Sequence, residues 1–132
     1  MDTCVFCKII HKEIPWYIVY ENDIVIAILP KDMEVYGHTL IIPKWHYQNI
    51  YDIPENVLAE LIMVTKKLAI DYKRTIGATW INIWHASGKD AQQTVSHFHF
   101  HLLPRFKNDG LNTRPTLPKM EINKDDLLKK IK

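Results

Sequence analysis

At 132 residues the chain is read as one domain, 1–132, long enough to bury about two-thirds of its extended surface. Apolar residues make up 47% and charged residues 24%, which excludes a disordered composition, and a formal charge of +2 with scattered Lys and Arg argues against nucleic acid as a partner. The longest apolar stretch, Ile24 to Pro30, falls well short of the ~18–20 residues that a membrane span needs.

Asp2, Lys8, His11 and Lys12 put charge through the first turns, which does not read as a secretory signal. Two cysteines cannot form a disulfide scaffold, so a reducing cytoplasm is the expected location. From Cys4 to Ile10 the apolar residues Val5, Phe6, Ile9 and Ile10 have helical spacing, with Thr3 available as N-cap and Pro15 as terminator. Tyr17 to Tyr20 and Ile24 to Leu29 are apolar and β-branched around Glu21-Asn22-Asp23, which predicts a hairpin. Thr39 to Ile42 is a third strand, entered through Gly37 and stopped by Pro43. A long helix is expected from about Ile53 to Ile76, with Asp52 and Glu55 as a capping box and Gly77 as its stop. Its apolar face would be Val57, Leu58, Leu61, Ile62, Leu68, Ala69 and Tyr72. Strands follow at Trp80 to His85 and Ser96 to Leu103, separated by the polar loop 86–93. From Pro104 to Pro118 three prolines and a glycine predict an extended surface tail, and Asn123 to Lys132 a short terminal helix with acids first and lysines last. The fold class is therefore α+β: an antiparallel sheet of about five strands, one long helix, and short N- and C-terminal helices. The core would occupy about 4–105, and 106–132 the tail.

Seven histidines are many for this length, and three of them fall within five positions. His97, His99 and His101 alternate with Phe98, Phe100 and Leu102, so on a strand the imidazoles share one face, ~6.6 Å apart in succession. The phenylalanines and the leucine would face the long helix. A half-solvated strand could use Lys, Glu or Thr in these places, so three imidazoles point to chemistry. Two kinds fit: a metal site, or attack of a neutral imidazole on phosphorus followed by hydrolysis of the adduct. Gln92, Gln93, Thr94 and Ser96 nearby can contact phosphate oxygens but are poor metal ligands, which favours the second. Cys4 and Cys7 have the spacing of a structural zinc site, but two more ligands would be needed. A redox dithiol or two ordinary thiols are the alternatives. His11 and His85 read as a solvated helix position and a strand-end residue, without a role.

His97-Phe98-His99-Phe100-His101-Leu102-Leu103 resembles the His-φ-His-φ-His-φ-φ signature of the histidine triad (HIT) superfamily. Cys4 to Ile10 followed by Glu13-Ile14-Pro15 is similar to the family's opening, Gly37 to His46 to its central strand, and Gln93-Thr94-Val95 to its lead-in to the triad. The resemblance implies a HIT-like fold, a homodimer whose sheets join, and hydrolysis of nucleotidyl–phosphate linkages such as nucleoside phosphoramidates or dinucleoside polyphosphates. By the same resemblance His99 would be the nucleophile, with its other ring nitrogen held by a main-chain carbonyl. His101 would bind phosphate and assist proton transfer, and His38 would support the nucleophile. Gln93 and Thr94 would hold phosphate oxygens, Ser87 would lie in the substrate loop, and Val5, Phe6 and Ile9 would line the base pocket or simply pack the helix. The two missing zinc ligands would be His46 and His97, completing a structural site with no organic cofactor. Leu29-Pro30 stands where many members carry an acid that pairs with ribose hydroxyls, Ala86-Ser87 where Asn is common, and Gln92 where Gly is common. A nucleotide-binding regulatory module with little turnover is the other function these residues allow.

Overall fold

The computed structural model describes residues 3–132; Asp2, which entered the reading of the N-terminus, lies outside the described residues. The elements in chain order are α1 (Val5–Ile10), β1 (Ile18–Glu21), β2 (Val25–Ile28), β3 (Thr39–Pro43), α2 (Glu55–Thr75), β4 (Trp80–Trp84), β5 (Phe100–Arg105) and α3 (Lys124–Ile131). The five strands form one antiparallel sheet in the order β1-β2-β3-β5-β4, matching the expected α+β class. No helix among the described residues is long and apolar enough to cross a membrane.

All residues of β2 and β3 are buried, because helices cover both faces of the sheet. On one face Val25, Ala27 and Ile41 pack with Val57, Leu61, Val64 and Leu68 of α2 and with Phe98 and Leu102. On the other, Ile26, Ile28, Leu40 and Ile42 pack with Phe6 and Ile9 of α1. Alternation along each strand thus feeds two apolar layers, which is why these strands read as unbroken apolar runs.

The ends of the elements depart from expectation for local reasons. Asp52 does not cap α2; its carboxylate accepts the backbone N–H groups of Gln48 and Asn49, both at 2.9 Å, and the N-cap position falls to Pro54. Cys4, not Thr3, occupies the N-cap position of α1, and that helix ends at Ile10, well before Pro15, with Lys12 in a left-handed conformation. In α2, Ile62 is exposed while Val64 and Thr65 turn inward, so the buried face sits further round than the composition suggested. The stop at Gly77 is as expected, and Asn123, where the sequence placed the start of the last helix, is its N-cap, with its side chain accepting the Asp126 N–H.

β5 also differs. It starts at Phe100 and runs through Pro104 to Arg105, so His97 and His99 lie in the irregular segment before it and not in the strand. Its last pair with β3 is Thr39–Leu102, and at Pro104 only β4 lies alongside, which leaves room for a residue with no N–H. The tail after β5 is fastened by Arg105. Its guanidinium donates to both carboxylate oxygens of Asp109 (2.8 and 2.9 Å), to Asn82 and Thr113 side chains (3.0 and 2.6 Å) and to the Leu111 carbonyl (2.8 Å). α3 carries no buried residue.

Candidate active site and metal site

Although only His101 is within β5, the alternation of the triad survives. Phe98 and Leu102 face α2, while His97 and His99 face α1, where Phe6 meets both rings edge-on at 5.7 and 5.3 Å. The rings of His99 and His101 are 4.9 Å apart. His97 and His99 are buried, far from the half-solvated strand that simple alternation would describe.

The hydrogen bonds determine which nitrogens carry protons. His99 Nδ1 lies 2.8 Å from the His97 carbonyl, which can only accept, so Nδ1 bears the hydrogen and Nε2 keeps its lone pair. Among the described residues the one buried side-chain nitrogen or oxygen without a partner is His38 Nδ1, and His99 Nε2 makes no hydrogen bond to the described residues either. His38 Nε2 and His101 Nδ1 are 3.0 Å apart. An unpartnered acceptor costs less in a buried site than an unpartnered N–H, so His38 Nδ1 is the lone pair and its Nε2–H donates to His101. His101 is then left with its hydrogen on Nε2. His38 accordingly hydrogen-bonds His101 and, among the described residues, makes no hydrogen bond to the expected nucleophile. Burial pushes His38, His99 and His101 below the ordinary imidazole range, His101 to about 4. All three are neutral near pH 7.

A second cluster lies beside the first. Single ligand atoms from Cys4, Cys7, His46 and His97 lie within 4.8 Å of one another, at the N-terminus of α1, after β3 and before β5. His97 Nδ1 is 3.4 Å from Cys4 Sγ and 3.6 Å from Cys7 Sγ, and His46 Nδ1 is 3.4 Å from Cys7 Sγ. Tetrahedral coordination with metal–sulfur bonds near 2.3 Å and metal–nitrogen bonds near 2.0–2.1 Å puts S and N about 3.6 Å apart. The cluster has that spacing and could hold a metal ion. The other nitrogen of His97 donates to the Pro43 carbonyl at 3.0 Å, which leaves Nδ1 deprotonated and aimed at both sulfurs. Burial pushes the Cys7 thiol up to about 11, with the Cys4 sulfur adding to the shift, so a cation is what would make thiolates stable there.

The remaining expected residues are placed as follows. Gln93 lies in the loop, but its side-chain groups are engaged within the protein: Oε1 accepts the Gly88 N–H at 2.7 Å, and Nε2 donates to the Gln48 and Val95 carbonyls at 2.7 and 2.9 Å. It shapes the loop where direct phosphate contact was expected. Ser87 Oγ accepts the Ile50 N–H at 2.9 Å and makes a short hydrogen bond with His85 Nε2. Thr94 is exposed and lines a cavity of about 390 Å³ with Val5, Cys4 and His46. Phe6 and Ile9 are buried in the α1 layer, whereas Val5 is partly exposed. His85, read from the sequence as a strand end without a role, is joined to His99: its Nδ1 lies 2.9 Å from the His99 carbonyl. Only its place at the end of the expected strand hinted at this.

A sheet of this order with three alternating histidines beside a Cys/His cluster defines a class, and comparison with known proteins identifies it. The HIT domain family matches residues 11–108, and the chain belongs to that family. It is 45% identical over 112 residues to a HIT-like protein of Borreliella burgdorferi, covering 83% of this chain and 81% of that one. It is 38% identical over 103 residues to an adenosine 5'-monophosphoramidase of Saccharomyces cerevisiae, covering 78% of this chain and 63% of that one. A Zn-bound histidine triad family protein from Mycobacterium smegmatis has the same fold, with a TM-score of 0.81 at 34% identity over 87% of this chain and 84% of that one.

Proposed function

We propose that the protein is a hydrolase that cleaves nucleotidyl–phosphate linkages through a covalent intermediate on His99. One observation carries this reading: His99 Nδ1 is hydrogen-bonded to the His97 carbonyl, leaving Nε2 unprotonated and without a hydrogen-bond partner among the described residues. The Nε2 lone pair forms a bond to the α-phosphorus as the bond from phosphorus to the leaving group breaks. His101, with its hydrogen on Nε2, donates a hydrogen bond to the leaving group, and a departing amine takes its proton from solvent. Water then attacks phosphorus and gives one proton to solvent, the P–N bond breaks, and the nucleotide leaves with His99 Nε2 again carrying its lone pair. His38 holds His101 in the donating tautomer. The likeness to a yeast adenosine 5'-monophosphoramidase supports an adenosine phosphoramidate as first substrate to try.

The metal in this reading is structural zinc, held by Cys4, Cys7, His46 and His97. It ties α1 to the main chain next to His99 and leaves no open position for substrate. Zinc needs thiolates, which a reducing cytoplasm preserves. The protein acts as a homodimer joined through β4, an edge strand with Trp80 and Ile83 exposed, and the neighbouring strip Ile62 and Ile70 of α2; these residues line one apolar hollow of about 310 Å³.

The test is His99→Ala, which should show no detectable turnover of adenosine phosphoramidate while still binding AMP. Undiminished hydrolysis would remove the mechanism. A denaturing trap for labelled nucleotide on the wild-type chain separates enzyme from regulatory binding module, since a module forms no adduct. A panel of adenosine and guanosine phosphoramidates with dinucleoside polyphosphates would then define the leaving group.

A further inference from the structure

The backbone around His99 lies just outside the sheet ladder. β5 pairs with β3 from Ile41–Phe100 onward, and its last pair with β4 is Trp84–His101. The peptide of the reacting residue must therefore be held by something other than strand pairing. On the β3 side, Phe98 N–H donates to the Tyr47 carbonyl at 2.7 Å. On the β4 side the chain has already turned into the loop, and the His99 carbonyl would have no ladder partner.

His85, the first residue past β4, fills that place. Its Nδ1 is 2.9 Å from the His99 carbonyl, and because a carbonyl only accepts, Nδ1 carries the hydrogen. Nε2 is then an acceptor, and the hydroxyl of Ser87 donates to it. Ser87 Oγ in turn accepts the Ile50 N–H at 2.9 Å. Every donor from Ile50 N–H through Ser87 and His85 to the His99 carbonyl points the same way, so each bond fixes the next. The imidazole lies flat on Phe98, with centroids 4.2 Å apart and planes at 25°, and Phe100 meets it edge-on at 5.7 Å.

We propose that His85 and Ser87 are a positioning pair that fixes the His99 peptide, and through it the aim of His99 Nε2. Neither touches the reacting atoms. The pair supplies the His99 carbonyl with one imidazole donor whose tautomer is set by a serine. This proposal rests on His99 being the nucleophile, and it makes the side-chain chemistry at 85 a determinant of turnover rather than of substrate affinity.

Two replacements separate positioning from packing. His85→Phe keeps a ring on Phe98 but has no donor for the His99 carbonyl. His85→Asn loses the ring but places an amide N–H near the position of Nδ1. With adenosine phosphoramidate as substrate, His85→Phe should lower kcat by at least about tenfold with KM little changed, as expected when a reacting group is misaimed. His85→Asn should recover most of that loss, and Ser87→Ala should fall between. The imidazole Nδ1–H signal of His99 in ¹⁵N-labelled protein should exchange with solvent faster in His85→Phe than in wild type. Wild-type kcat in His85→Phe, or equal losses in the Phe and Asn variants, would overturn the proposal. If one variant fails to fold, the kcat of Ser87→Ala decides: unchanged turnover there overturns it as well. His99→Ala run alongside keeps the two readings apart. Activity in that variant removes the nucleophile, whereas its loss combined with full activity in His85→Phe removes only the positioning pair; should His99→Ala stay active, the His99 Nδ1–H exchange rate alone decides the pair.

Discussion

Burial determines what the histidines can do. His101 is held at about 4, by desolvation first and then by the neighbouring imidazoles of His99, His38 and His85, and His38 is lowered mainly by burial. An unfolded histidine takes up its proton near 6.5. Between pH 6.5 and about 4 the unfolded chain therefore binds more protons than the folded one, and stability falls as pH falls through that window. Above pH 7 both states are neutral and these groups contribute no slope. The melting temperature should be level from pH 8 to 7, decline below 6.5, and decline less steeply in His101→Asn than in wild type. The identity of the triad was legible from its spacing. The partners of each nitrogen were not, because His38 and His101 are 63 positions apart in sequence and His85 and His99 are 14. That His85 reaches a carbonyl and Gln93 its own loop depends on backbone positions that no local pattern encodes.

Strand and helix identities followed from period and composition, while their ends followed from tertiary bonds. Asp52 had the right spacing for a cap, but the Gln48 and Asn49 amides offered it a tighter turn before α2. β5 begins late because Phe98 bonds to Tyr47 in a loop instead of to a strand. The turn before β3 was legible at Gly37 for a sound reason. Its φ is +83°, and a Cβ there would sit 2.7 Å from Ile76 Cδ1 and 3.0 Å from Pro104 Cγ. Gly37→Ala should cost roughly 1–3 kcal/mol in denaturant unfolding, from the left-handed conformation together with the crowding. Leu61→Ala, which empties a fully buried position of α2 against the sheet, should cost about 2–5 kcal/mol by the same measurement.

Across the whole molecule, distant parts are held by a few compact clusters. The Cys/His cluster joins α1, the segment after β3 and the approach to β5. Chelation with a strong ligand should lower the melting temperature by roughly 10 °C, and Cys7→Ser should reproduce that loss without chelator. At the other end Arg105 gathers Asp109, Asn82, Thr113 and Leu111. Arg105→Ala should expose 107–119 to limited proteolysis at once while the sheet persists. If β4 joins two copies, the melting temperature will rise with protein concentration, and Ile83→Lys should abolish that dependence.

His97 serves the two clusters through different atoms: its ring points to the cysteines, and its carbonyl receives the proton-bearing nitrogen of His99. The two sites are therefore neighbours along a single residue. If AMP binds at His99 as proposed, a cobalt(II) ion held by the cysteine cluster should shift its visible absorption bands when AMP is added, giving an optical gauge of occupancy next door.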